Sequence, residues 1–70
     1  MTHEPAEVLA VLRTYVALAD EDTPLELDSL TLVELVEALE DELGVRVPGR
    51  VVTAEHFATA RTIAALLGRL

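Results

Sequence analysis

The hydroxyls of Ser29 and of the threonines are the candidate nucleophiles of this sequence, and the imidazoles of His3 and His56 are the candidate bases. A serine nucleophile needs a base within hydrogen-bond reach and a third group that orients this base. Neither histidine lies in a motif that sets it against Ser29, and the sequence has no HExxH, GxSxG or glycine-rich phosphate loop. We therefore expect no catalytic residues and no intrinsic enzyme activity.

The same side chains do not make a metal site. The sequence contains no cysteine and only 2 histidines, which are too few for a closed four-ligand zinc site. A single imidazole at position 56 has no ligand partners nearby in the sequence, so we expect His56 to be a half-exposed helical residue beside Phe57. No metal is predicted.

Charge and composition limit the partners. The chain has 70 residues and a formal net charge of −8, with 13 acidic residues against 5 basic ones. A nucleic-acid backbone would repel such a chain, whereas basic protein surfaces would attract it. No run of 18 apolar residues and no basic signal-peptide region is present. These features predict one soluble cytoplasmic domain over residues 1–70, with neither a nucleic acid nor a membrane as partner.

Helical periodicity dominates the chain. A first apolar stripe begins after Pro5 and runs to the acidic cluster at residues 20–22; it consists of Val8, Leu9, Leu12, Tyr15, Val16 and Ala19. The second helix shows the strongest pattern, in Leu32, Leu35, Val36, Leu39 and Leu43. Asp28 is placed to cap this helix, and Gly44 to end it.

The rest of the chain is less regular. Residues 45–52 contain several valines around Pro48 and Gly49, and we expect an ordered loop whose valines pack on the helices, because an isolated hairpin is only marginally stable. Thr53 can cap a last helical region, which residues 59–62 interrupt. A short third helix followed by a fourth is the predicted arrangement.

The tripeptide Asp28-Ser29-Leu30 opens the strongest helix. On pattern alone it is a plain helix cap, because capping needs nothing more than these residue types. A serine here would nevertheless display its hydroxyl to solvent beside the positive end of the helix dipole, where a negatively charged substituent is favoured.

This tripeptide and the helix behind it resemble the second helix of acyl carrier proteins. The similarity continues through LVELVEALEDEL at residues 32–43, the loop at 45–48, and Phe57, Ala58, Thr59 and Ile63, so that it covers essentially the whole chain. It implies an all-α fold, a small four-helix bundle of the acyl carrier protein type with a short third helix. It also implies that Ser29, between Asp28 and Leu30, bears a covalent 4′-phosphopantetheine.

The resemblance further implies protein partners. These are a phosphopantetheinyl transferase, an enzyme that loads acyl or aminoacyl groups, and condensing or tailoring enzymes, all acting on a monomer. The predicted docking face of the second helix consists of Leu30, Val33, Glu34, Glu37, Glu40 and Asp41. The alternative for this face is a solvated charged surface, which is what most such runs are.

Two positions depart from the family pattern. Glu26 stands where many carriers have glycine, and Glu37 stands where fatty-acid carriers are often apolar. Together with residues 55–59, they favour a freestanding carrier of polyketide or nonribosomal peptide biosynthesis. An aminoacyl or peptidyl carrier, and a helical interaction module without a prosthetic group, remain as alternatives. Four side chains of the second helix form either a cargo pocket or simple core: Leu32, Val36, Ala38 and Leu39.

Overall fold

Three α-helices and one 3₁₀ helix make up the regular structure of residues 2–70, the part of the chain that this computed structural model describes. They are α1 (Pro5–Leu12), α2 (Ser29–Leu43), the 3₁₀ helix (Gly49–Val51) and α3 (Ala60–Leu67). No strand occurs among these residues. The all-α prediction is confirmed, whereas the predicted count of four helices is wrong.

The missing helix is the short third one. Residues 53–59 form a single turn, closed by a 3.0 Å bond from the Phe57 N–H to the Thr53 carbonyl. The N–H groups that would continue the helical ladder bond elsewhere: the Thr59 N–H donates to the Thr62 hydroxyl and the Arg61 N–H donates to the Glu21 carbonyl, both at 3.0 Å. Since these bonds replace the helical ladder, the turn does not propagate into a helix.

The first helix is shorter than its apolar stripe predicts. It begins at Pro5 as expected, but it ends at Leu12 instead of reaching Ala19. The Arg13 guanidinium donates to the carbonyls of Leu18 and Ala19, at 3.1 and 2.8 Å, and so folds the chain back on itself. Residues beyond Leu12 therefore form turns that cover the core without extending the helix.

The core lies where α1 packs against both α2 and α3. Its most deeply buried side chains, each less than 2% exposed, are Val8, Leu12, Leu35, Leu39, Ile63 and Leu67. The start of α3 is fixed by a reciprocal capping box between Thr59 and Thr62. This packing anchors one face of α2 and leaves its other faces to the loop and to solvent. None of the helices within residues 2–70 has the length and apolar content needed to cross a membrane.

Candidate functional site

The amino end of α2 has the geometry that the sequence predicts. Asp28 adopts an extended conformation, with φ −81° and ψ 172°, and its carboxylate accepts a hydrogen bond from the Thr31 N–H at 2.8 Å. This bond lowers the pKa of the Asp28 carboxyl below its ordinary value. At the other end, Gly44 takes the left-handed conformation, with φ 65°, that ends the helix. Both predicted ends of this helix are confirmed.

Ser29 is the first residue of α2, and its side chain is exposed. The next residue, Leu30, is an apolar side chain that is 70% exposed. Backbone N–H groups at the start of a helix lack intrahelical acceptors and favour anionic groups. A phosphodiester on the Ser29 oxygen would therefore lie in solvent, beside a favourable dipole, without displacing a core side chain.

An apolar cleft of about 350 Å³ opens on the same side of α2 as Ser29. Ser29, Val33 and Val36 are spaced i, i+4 and i+7, so they share one face of the helix. The lining residues are Leu32, Val33, Val36, Glu37, Val47, Gly49 and Val52. Of the four residues considered for a pocket, Leu32 and Val36 line this cleft, whereas Ala38 and Leu39 are core, at 6% and 0% exposure.

The far wall of the cleft is the loop of residues 45–52. Val47 is buried, and its N–H donates to the Glu40 carboxylate at 2.8 Å. Val45, Val51 and Val52 pack against the core from the side. The prediction of an ordered loop with packed valines is confirmed, but the 3₁₀ helix within it and the part of the loop as a wall of the cleft were not predicted.

The predicted docking face separates into two groups. Leu30, Val33, Glu34, Glu37 and Asp41 are exposed. Glu40 is half-buried and is engaged with the Val47 backbone, so its carboxylate supports the loop.

The exposed acids of this face are not neutralised within the described chain. Glu34, Glu37 and Asp41 follow one another at i, i+3 and i+7 along α2. The two ion pairs found in residues 2–70 join other side chains, namely His3 with Glu7 and Asp22 with Arg61. The face is therefore apolar near Ser29 and negatively charged farther along the helix.

Neither histidine is engaged with Ser29. The His3 ring is buried, with Nδ1 2.6 Å from the Glu7 carboxylate. His56 is half-buried, as expected, but it lies in the turn before α3 and its Nδ1 is 3.0 Å from the Val51 carbonyl oxygen. Among residues 2–70, no base is hydrogen-bonded to the Ser29 hydroxyl.

Comparison with known protein families identifies a match over nearly the whole chain. The family model described as "Phosphopantetheine attachment site" matches residues 6–70 of the chain. The match includes all three helices apart from the first residue of α1, as well as the loop that forms the cleft wall. No curated protein and no solved structure shows a significant similarity to the chain.

Proposed function

Since the chain belongs to the phosphopantetheine attachment family, we propose that Ser29 is the residue that carries its prosthetic group. Domains of this family are non-catalytic carriers with a 4′-phosphopantetheine arm attached covalently to a serine. Ser29 is the only serine among the 70 residues. This observation, together with its exposure at the first position of α2, carries the proposal.

The position suits a phosphodiester for electrostatic reasons. The negative charge would lie at the amino end of α2, where such a charge is stabilised by about 0.3–1 kcal/mol in an exposed site. Asp28 is occupied in capping the helix through Thr31, and it orients the first turn that displays Ser29. Leu30 supplies exposed apolar surface next to the attachment point.

Ser29 needs a second protein for its modification. With no base hydrogen-bonded to its hydroxyl in the described residues, the chain offers nothing to activate this oxygen. A phosphopantetheinyl transferase would supply the base that takes the Ser29 proton. The Ser29 oxygen would attack the phosphorus that bears the arm in coenzyme A, and the pyrophosphate bond would break to release adenosine 3′,5′-bisphosphate. Once attached, the arm supplies a terminal thiol that holds a cargo as a thioester, on a chain that has no cysteine of its own.

Partner enzymes would dock on the exposed part of the α2 face, which we call the docking surface: Leu30, Val33, Glu34, Glu37 and Asp41. Its apolar end can be covered by a partner, and its acidic end can steer a basic partner to the carrier. Glu40, although on the predicted face, would act there indirectly by holding the loop.

The cargo is an acyl or aminoacyl group, and the partners beyond the transferase are a loading enzyme and condensing or tailoring enzymes. We favour polyketide or nonribosomal peptide biosynthesis over fatty-acid synthesis, because acidic side chains stand at Glu26 and Glu37. A chain without cysteine suits the reducing cytosol, and we propose that it acts there as a monomer.

The test is incubation of the purified chain with a broad-range transferase and coenzyme A, followed by intact-protein mass spectrometry. We expect one added phosphopantetheine on the wild type and on Thr31→Ala, which removes the nearest hydroxyl along α2. Ser29→Ala should gain nothing. If the wild type gains no mass, the proposal fails and a helical interaction module without a prosthetic group becomes the better interpretation.

A further inference from the structure

The cleft beside Ser29 is lined by one charged side chain, that of Glu37. The other lining residues are apolar or glycine. Glu37 lies eight residues beyond Ser29, which is about 12 Å along the helix axis. It is exposed at the rim of the cleft, so its carboxylate remains hydrated while it faces anything that enters between α2 and the loop.

The charge at this rim is negative and uncompensated. Glu34 precedes Glu37 by one turn and Asp41 follows it by one turn, so like charges flank it on the same face. Arg50 follows Gly49 on the opposite wall, but no ion pair within residues 2–70 joins it to Glu37. An entering group therefore meets apolar walls first and a negative potential at the rim.

We propose that Glu37 determines the class of cargo that the cleft accepts, namely short acyl chains that carry an ammonium group. This inference rests on the proposed attachment of the arm at Ser29. The methylene groups of such a cargo would contact Val33 and Val36, while its ammonium would stay at the wet rim beside Glu37, as lysine side chains do at apolar surfaces. A carboxylate-bearing cargo of the same length would be repelled by Glu37, the one acid that lines the cleft.

Because the cargo is tethered to the chain, the cleft can select between cargoes even when its affinity for each of them is low. An arm anchored on the same helical face holds its cargo at a high effective concentration near the cleft. A difference of two- to fivefold in cleft occupancy, the range typical of single exposed charge pairs, is enough to distinguish cargo classes. The difference should shrink as salt is added, because the pair is exposed to solvent.

The experiment compares three cargoes of similar length: pentanoyl, γ-aminobutyryl and succinyl. Each is joined to the arm through a stable amide and loaded onto the full chain, and complete loading is verified by mass. The readout is the chemical-shift change of the Val33 and Val36 methyl groups relative to the unloaded arm. In the wild type we expect γ-aminobutyryl to give shifts two- to fivefold larger than succinyl.

Glu37→Gln should abolish this difference, whereas Glu42→Gln should preserve it, because Glu42 is exposed on another side of α2 and does not line the cleft. Equal shifts for the two charged cargoes in the wild type, or a difference that survives Glu37→Gln, would overturn the assignment. Absence of any loaded arm would instead refute the proposed function, and this inference would fall with it.

Discussion

The Asp28 carboxylate accepts a hydrogen bond from the Thr31 N–H at 2.8 Å, and the closed turn between these two residues displays Ser29. The bond uses one of the free N–H groups of the first turn. It also fixes where the helix begins, so that Ser29, and not a neighbour, occupies the first helical position. Asp28 thus supports the site by fixing the backbone geometry of the first turn of α2.

The cap predicts a specific pH dependence. The pKa of Asp28 is lowered in the folded protein by its bond to Thr31, so the charged cap stabilises the fold fully above the ordinary carboxyl value of about 3.8. That contribution is lost as the pH falls through the lowered folded value. Thermal unfolding should therefore show the wild type to be more stable than Asp28→Asn at neutral pH.

This difference should close in acid, where the wild-type carboxyl is protonated. Asn at this position can still cap, so it is the appropriate control for charge alone. A difference that remained constant from neutral pH to well below the ordinary pKa would refute the role assigned to the Asp28 charge.

The second prediction concerns Glu40. Glu40→Ala leaves the buried N–H of Val47 without an acceptor, which should lower the free energy of unfolding in urea by about 1–3 kcal/mol. Hydrogen exchange at the Val47 amide should accelerate at the same time. Glu40→Gln retains an acceptor oxygen and should lose less. If Val47 exchanged at the wild-type rate in Glu40→Ala, the carboxylate would not be what holds the loop.

The third prediction contrasts two leucines of α2. Leu39 is completely buried and Leu30 is 70% exposed. Leu39→Ala should cost about 2–5 kcal/mol of unfolding free energy, which is a large part of the stability of so small a domain. Leu30→Ala should leave stability nearly unchanged. It should slow transfer of the phosphopantetheine arm to Ser29, because it removes apolar docking surface. Similar losses of stability in both variants would contradict the burial of Leu39 and the exposure of Leu30.

The fourth prediction tests the acidic end of the docking surface. Converting Glu34 and Glu37 together to lysine reverses the charge that would attract basic partners. The double variant should therefore receive the phosphopantetheine arm on Ser29 more slowly than the wild type at low salt. The salt dependence of the remaining rate should flatten, because less attraction is left to screen. Glu42→Lys carries a charge reversal on another side of α2 and is the control. If the double variant accepted the phosphopantetheine arm at the wild-type rate at low salt, the electrostatic role assigned to this surface would be refuted.

The elements that could be predicted from the sequence are those set by local signals. Asp28 and Gly44 mark the ends of α2, because capping and a left-handed stop depend on only a few adjacent residues. The apolar spacing also identifies Leu35 and Leu39 as core. The same local rules allow Ser29 to be recognised as an exposed first residue.

What the sequence could not reveal depends on distant contacts. The short third helix is absent because the Thr59 and Arg61 N–H groups donate to the Thr62 hydroxyl and the Glu21 carbonyl, and these acceptors are not apparent from the turn at residues 53–59 itself. Similarly, α1 ends at Leu12, where the Arg13 side chain bonds to the carbonyls of Leu18 and Ala19, and the apolar stripe does not reveal these contacts. The cleft requires a loop wall that packed valines and the hydrogen bond from the Val47 N–H to Glu40 hold in place, and no periodicity encodes that bond.

The most direct test of the account is to locate the added group. Tryptic cleavage after Arg13 and Arg46 releases a peptide, 14–46, that contains Ser29 together with Thr14, Thr23 and Thr31. After treatment with transferase and coenzyme A, fragmentation of this peptide by tandem mass spectrometry should assign the phosphopantetheine to Ser29. Assignment to a threonine, or an unmodified peptide under conditions that modify a known carrier completely, would contradict the account.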